Sequence, residues 1–69
     1  MQDLAWQLAS ARLDEGLLRD AWMHRLEIDG DRATVEIASR GAVRLRMQLV
    51  RADDGWTLSR ASRLRARLA

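Results

Sequence analysis

Residues 26–59 read LEIDGDRATVEIASRGAVRLRMQLVRADDGWTLS, and this stretch decides the fold. Apolar residues recur at every second position in four short runs, which is the pattern of β-strands with one buried face. A glycine lies in each of the three intervals between the runs, and glycine readily adopts the positive φ of tight hairpin turns. The stretch therefore predicts a four-stranded antiparallel meander.

The lengths of the three connections predict which residues face one another across the meander. We expect a two-residue turn at 29–30, a three-residue loop at 39–41 and a four-residue loop at 52–55, since these lengths keep apolar residues opposite apolar ones. The pairs that follow are Glu27 with Arg32, Glu36 with Arg44, Leu49 with Leu58 and Arg51 with Trp56.

The other face of the predicted sheet alternates acidic, basic and hydroxyl side chains. Its acid–arginine pairs would stabilise the sheet by only about 0.2–1 kcal/mol each, so a solvated face with compensated charge is the first interpretation. The alternative is a partner surface that uses Arg44 and Arg46. In this register Arg46 would face Thr34 and lack an opposing acid.

Length and composition predict one small domain, residues 1–69, with a limited core. A chain of this size buries only about 60% of its unfolded surface, which favours assembly or a larger partner. The chain has no cysteine, and His24 is its only histidine, so we expect no metal ions, cofactors or thiol chemistry. It has no apolar run long enough to span a membrane and no secretory leader, so we expect a cytoplasmic location.

Charge is distributed unevenly along the chain. All twelve basic residues are arginine, a composition typical of GC-rich bacterial or phage genomes, and a lysine nucleophile is excluded. Residues 1–39 contain four arginines against eight acids, whereas residues 40–69 contain eight arginines against two acids. The resulting dipole favours contacts between the two halves of different copies, or between the C-terminal half and polyanions.

Residues 1–24 lack proline and are rich in good helix formers, so they predict an N-terminal helical segment packed on one face of the sheet. Apolar residues fall on two opposite stripes, and one helix can bury only one stripe against one sheet. Either the helix breaks near Gly16, or one long helix uses its second stripe against a partner. Both alternatives leave apolar surface, so we expect self-association or a permanent partner. The predicted contact residues are Trp6, Leu13 and Leu17.

His24 would lie where this helical segment ends and the meander of residues 25–59 begins. A helix C-terminus favours a cationic histidine, and no acid or nucleophile has a fixed position near it in the sequence. A structural role is therefore favoured over catalysis.

Residues 60–69 form an arginine-rich tail that follows the last predicted strand. It could be a short amphipathic helix, a frayed tail or a continuation of the strand. Its function would be contact with a polyanion such as a nucleic acid, weakened steeply by salt. No aromatic residue lies between the arginines, so base stacking is not indicated. The predicted contact residues are Arg60, Arg63, Arg65 and Arg67, together with Arg46.

The meander resembles the C-terminal part of the nuclear-transport-factor-2-like (cystatin-like) superfamily, which includes SnoaL-type polyketide cyclases. The resemblance covers about residues 24–62 and depends on DGDRATV at 29–35, on residues 43–50 and on DDGWTLS at 53–59. Members are usually about twice as long and form a conical pocket. The inward positions here are almost wholly aliphatic, so no catalytic residue carries over. The resemblance implies a truncated relative that acts by binding, with Trp56 closing the core.

The double-stranded-RNA-binding domain is a second comparison, similar in length and in its basic C-terminal element. Its loop histidine and its lysine-rich helix start are missing here, so it supports only the nucleic-acid alternative. The sequence contains no phosphate loop and no nucleophile paired with a base. It therefore predicts a non-catalytic protein-interaction or assembly module that forms a homo-oligomer or binds a larger protein. Nucleic-acid binding is the alternative, and a ligand-binding or catalytic cystatin-like domain has less support.

Overall fold

A computed structural model describes residues 1–68 of the chain. Two short helices precede four strands, and the α+β class predicted from the sequence is confirmed. The strands form one open antiparallel sheet in which sequence neighbours pair, so the predicted meander is also confirmed. The elements are α1 (Gln2–Ser10), α2 (Glu15–Arg19), β1 (Trp22–Asp29), β2 (Arg32–Ser39), β3 (Ala42–Ala52) and β4 (Gly55–Arg67).

The helical segment is broken, which agrees with the first of the two alternatives. Asp14 is the N-cap of α2, and its Oδ1 accepts a hydrogen bond from the backbone N–H of Leu17 at 2.9 Å. Such a cap stabilises a helix start by about 1 kcal/mol. The break therefore lies just before Asp14, and Gly16 is already inside α2.

The predicted end of the helical segment at residue 24 is wrong. α2 ends at Arg19, and Trp22 already pairs with Ala38 of β2. Tryptophan favours strands, and pairing with β2 supplies the backbone hydrogen bonds that a continued helix would have supplied.

His24 consequently lies within β1 and not at a helix C-terminus. It is the extra residue between Met23 and Arg25, where the register of β1 against β2 shifts by one. The predicted stabilisation of a cationic histidine by a helix dipole therefore does not apply.

The third hairpin has the predicted register, since Leu49 pairs with Leu58 and Arg51 with Trp56. In the first hairpin, the pairing of β2 with β1 is displaced by two residues from the prediction. Its turn is at residues 30–31, Asp29 pairs with Arg32, and Glu27 lies opposite Thr34 instead of Arg32. An even displacement preserves which side chains face the core.

The second hairpin turns at Arg40 and Gly41, which have φ of 54° and 79°. Positive φ at both central residues gives a two-residue turn whose twist matches that of the strands. The pairing shifts by two residues relative to the prediction, and Arg44 becomes the extra residue of a bulge. Glu36 therefore lies opposite Arg46 and not opposite Arg44.

The core lies between the two helices and the helix-facing side of the sheet. Ala5 and Ala9 of α1 are fully buried, because their small side chains let the helix approach the sheet closely. Ser39 Oγ donates a hydrogen bond of 2.6 Å to the carbonyl of Leu17, which ties α2 to the end of β2. Trp56 packs against the rim of this core. The largest fully buried apolar side chains are Val35, Ile37, Leu45, Met47 and Leu49.

Of the three alternatives for residues 60–69, the structure agrees with a continuation of the strand, which extends as far as Arg67 because β4 continues along the whole of β3. Ala61 pairs with Met47 and Arg63 with Leu45. β3 is long enough to supply these partners. Hydrogen bonds between β3 and β4 therefore replace those of the short helix that was one alternative for this segment. Ala69, the last residue of the predicted tail, lies outside the described residues.

Candidate functional site

The open face of the sheet, which is the face opposite the helices, carries a row of charges across β1, β2 and β3. Glu36 is at the centre of the row and is only 5% exposed. Its Oε2 accepts a hydrogen bond from Nε of Arg46 at 2.8 Å and lies 4.0 Å from Nη1 of Arg25. A carboxylate removed from water needs such partners. The row is therefore explained by the stability of the sheet.

Arg25 makes its closest contacts with Glu27, on the same strand. Nε and Nη2 of Arg25 lie 2.8 Å and 2.7 Å from Oε1 of Glu27. This hydrogen bond and the negative charge of Glu27 raise the pKa of the Arg25 guanidinium above its ordinary value. The predicted pair between Glu27 and Arg32 is absent, since the first turn is displaced.

The prediction that Arg46 faces Thr34 without an opposing acid is wrong, because Arg46 pairs with Glu36. Only Nε of Arg46 makes this contact, and the side chain remains 48% exposed, so its terminal N–H groups are accessible. Arg44, the predicted partner of Glu36, instead donates a hydrogen bond of 2.9 Å from Nε to the carbonyl of Ser39.

The four predicted contact arginines of β4 are all exposed. None of them forms an ion pair with a carboxylate within residues 1–68. Arg60 lies opposite Gln48 on the open face, whereas Arg63 lies opposite Leu45 on the helix-facing side. Basic side chains therefore project from both sides of this edge strand. The four are Arg60, Arg63, Arg65 and Arg67.

Two shallow hollows beside β4 are lined by arginines. The first lies on the open face between β3 and β4 and has a volume of about 230 Å³. The second lies at the end of the sheet near the turn between β2 and β3 and has a volume of about 260 Å³. The first is lined by Arg46, Gln48, Arg60 and Ser62. The second is lined by Arg40, Gly41, Ala42, Arg44, Arg65 and Arg67.

A third hollow, of about 300 Å³, separates the end of α1 from β4 on the helix-facing side. It exists because the helices leave the middle of β4 uncovered, so that Ala61 and Arg63 are exposed. Arg12 also lines it, and its Nη1 donates a hydrogen bond of 2.9 Å to the carbonyl of Leu8 near the end of α1. These side chains provide no nucleophile and no general base.

The residues predicted to contact a partner are partly used within the chain. Leu13 is 8% exposed and belongs to the core, whereas Trp6 and Leu17 are half-buried and pack against it. The chain breaks between α1 and α2, and apolar side chains of both helices pack against the core. Little of Leu13 is left for a partner, and a contact through these three residues stays a prediction.

Sequence reasoning missed the two large apolar side chains that are exposed within residues 1–68. Trp22 is 42% exposed and Ile28 is 57% exposed, and both belong to the edge strand β1. Trp22 lies within the segment that was predicted to be helical, and Ile28 lies within the predicted meander. The alternation correctly places Ile28 on the helix-facing side of the sheet, opposite Ala33. It does not show that β1 is an edge strand, and the exposure of Ile28 depends on that position.

The described residues provide neither a metal site nor a membrane-spanning helix. No group of three or more histidine, cysteine, aspartate or glutamate side chains within residues 1–68 is placed to hold a metal ion. In the same part of the chain, no helix has the length and apolar character needed to cross a membrane.

Comparison with protein families, with curated protein sequences and with solved structures finds no match to this chain. The resemblance to the nuclear-transport-factor-2-like superfamily therefore stays a prediction.

Proposed function

We propose that this chain is a non-catalytic interaction module that associates with a second copy of itself through strand β1. The observation that carries the proposal is the exposure of Trp22 and Ile28 on one edge strand of an open sheet. An edge strand with exposed apolar side chains is a template for pairing with another strand.

The backbone of β1 has hydrogen-bonding groups available for this pairing. In a two-residue hairpin, the residues that flank the turn exchange hydrogen bonds, and bonded pairs then alternate along the ladder. Asp29 and Arg32 flank the first turn. The backbone groups of Leu26 and Ile28 therefore point away from β2, towards the free edge.

Charge favours one register for a two-fold antiparallel pairing of β1 with β1. A pair centred on Arg25 or on Glu27 would place like charges opposite each other, which is destabilising. A pair centred on Leu26 places Arg25 of each copy opposite Glu27 of the other. The result would be a closed dimer with one continuous eight-stranded sheet, because a two-fold interface uses the same surface of both copies and leaves none for a third copy.

Replacement of Ile28 by proline tests this pairing directly. Proline removes the outward N–H of residue 28 but none of the hydrogen bonds between β1 and β2, and proline is tolerated at such edge positions. We expect native mass spectrometry to show a dimer for the unaltered chain and a monomer for Ile28→Pro. Ile28→Thr is the matched control, because threonine keeps the N–H and favours strands; it should weaken the dimer without abolishing it.

Circular dichroism should show that the proline variant is folded. A folded Ile28→Pro variant that remains dimeric would contradict the role of β1. The double variant Trp6→Gln/Leu17→Gln distinguishes the helical surface from the strand. A dimer lost only in that variant would assign the contact to the helices, and a monomeric unaltered chain would contradict self-association altogether.

A further inference from the structure

The arginines of β4 indicate a second surface, independent of β1. We propose that β4 and the adjoining part of β3 bind the phosphodiester backbone of a nucleic acid without reading its bases.

The arginines of β4 lack the carboxylate partners that most other arginines of the sheet and its turns have. Four of those six others have a carboxylate within 4.0 Å, whereas Arg32, Arg44 and the four arginines of β4 have none within residues 1–68. Uncompensated arginines can bind an external anion without first breaking an internal ion pair. The compensated pairs are Arg25 with Glu27 and Glu36, Arg40 with Asp20, Arg46 with Glu36, and Arg51 with Asp31.

The spacing of the arginines suits an extended polyanion better than a single small anion. Arg60 and Arg67 are seven positions apart in one continuous strand. At about 3.4 Å per residue they are separated by about 24 Å. This length is far greater than one phosphate group and spans about seven base-pair steps along the axis of a duplex, which rises about 3.4 Å per step.

The two hollows beside β4 provide donors for individual phosphate groups. In the first hollow, Arg60 and the free guanidinium end of Arg46 are accompanied by the hydroxyl of Ser62 and the amide of Gln48. Guanidinium groups match phosphate oxygens with paired N–H donors. In the second hollow, Arg65 and Arg67 lie beside Arg40 of the turn between β2 and β3 and Arg44 of β3.

Aromatic side chains are absent from both hollows, so bases have nothing to stack on. Trp56 is at the opposite end of β4, where the guanidinium carbon of Arg51 lies 5.6 Å from the centre of its ring. The contact is therefore restricted to phosphates and independent of sequence. Its affinity should fall steeply as salt rises.

Arginines on an edge strand also prevent that edge from pairing with another sheet. That role requires charge on β4 alone. Here the basic surface extends onto β3, where Arg46 lies directly opposite Ser62 and its terminal N–H groups remain accessible. The extension across two strands favours an anion-binding surface.

Fluorescence anisotropy with a short labelled DNA duplex of mixed sequence tests the proposal over a range of salt concentrations. Arg60→Gln/Arg65→Gln removes two uncompensated charges from β4. Arg19→Gln/Arg32→Gln removes the same charge from exposed arginines elsewhere and is the matched control. We expect the slope of log affinity against log salt to become shallower by about two for the β4 variant, since each phosphate contact contributes about 0.9. The control should keep the slope of the unaltered chain.

Equal weakening by both double variants would mean that net charge alone attracts the duplex and would overturn the proposal. So would the absence of binding at low salt, or equally tight binding of polyglutamate, which would indicate an acidic protein as the partner. A labelled single strand of the same length should also bind, since only the backbone is contacted. Ile28→Pro should bind the duplex with an unchanged salt slope. The test of DNA binding by β4 is therefore independent of whether the chain self-associates through β1.

Discussion

The two edge strands of the sheet, β1 and β4, have opposite surface chemistry. β1 exposes two large apolar side chains, and the charges of Arg25 and Glu27 compensate each other. β4 exposes four arginines without carboxylate partners among the described residues and no large apolar side chain. Both edges present free backbone groups, and their side chains favour pairing with another strand at β1 and oppose it at β4.

The contrast teaches that one small sheet can present an apolar surface at one edge and a basic surface at the other. The acidic half of the chain forms the helices, β1 and β2, whereas the basic half forms β3 and β4. Because a meander keeps sequence order in space, the charge asymmetry of the sequence becomes an asymmetry between the two edges.

Of the changes that test the contrast between β1 and β4, truncation after Ser59 should have the largest effect on stability. If residues 60–69 formed a separate tail, their removal would leave the fold intact. In the structure it removes the partners of Leu45 and Met47 in β4 and uncovers one side of β3. A domain this small has little stability to lose, so we expect the truncated chain to lose its cooperative thermal transition. Circular dichroism checks this, and a sharp transition near that of the full chain would mean that β4 beyond Ser59 is dispensable.

Replacement of Glu36 by glutamine should have an intermediate effect. The change leaves the guanidinium groups of Arg46 and Arg25 without their central carboxylate, and both remain partly hydrated. We expect the free energy of unfolding to fall by about 1–2 kcal/mol, at the lower end for charged hydrogen bonds because of that exposure. Chemical denaturation measures it.

Glu27→Gln is the control, since Glu27 is exposed and its loss should cost less than about 1 kcal/mol. Equal losses of unfolding free energy for the two changes would show that the burial of Glu36 does not strengthen its ion pairs. Glu36→Gln should also raise the affinity for a DNA duplex, because it leaves Arg46 free to bind phosphate. That gain would sharpen the contrast between the compensated and uncompensated arginines.

Conversion of β4 into an edge like β1 should have the smallest effect on stability. Arg63→Thr/Arg65→Thr replaces exposed charges by a residue that favours strands, so the free energy of unfolding should change by less than about 0.5 kcal/mol. Removal of two charges should nevertheless let β4 pair with other copies, seen as species larger than a dimer by size-exclusion chromatography with light scattering. Ala61→Thr is the control, because it keeps every arginine. Unchanged mass in the arginine variant would show that charge is not what keeps this edge unpaired.

Alternation and glycine placement were sufficient to predict the strand count, the pairing order and the buried face. The register was predictable only in the third hairpin. In the first two hairpins, turns centred on residues 30–31 and 40–41 compete with the predicted loops, and either choice buries the same side chains. The pattern of burial therefore could not distinguish them, and the partner of Glu36 was assigned wrongly.

The candidate surfaces were predictable only in part. The basic residues of β4 were found because charge can be counted along the chain, and their exposure agrees with that expectation. The exposure of Trp22 and Ile28 could not be found, because it depends on β1 being an edge strand that the helices do not cover. Leu13 was predicted at a partner contact because both a broken and an unbroken helix were expected to leave apolar surface uncovered, whereas in the structure Leu13 is buried in the core.

The sequence by itself determined the α+β class, the four-strand meander, the face of the sheet that is buried and the separation of acidic and basic residues along the chain. These properties depend on local periodicity and composition, which each segment carries independently of the others. Tertiary structure alone decided the break before α2, the partners of Glu36 and Arg46, the continuation of β4 to Arg67 and the exposure of Trp22 and Ile28. Each of these depends on competition between distant segments for the same hydrogen bonds or the same buried surface, and that competition is settled only when the whole sheet has formed.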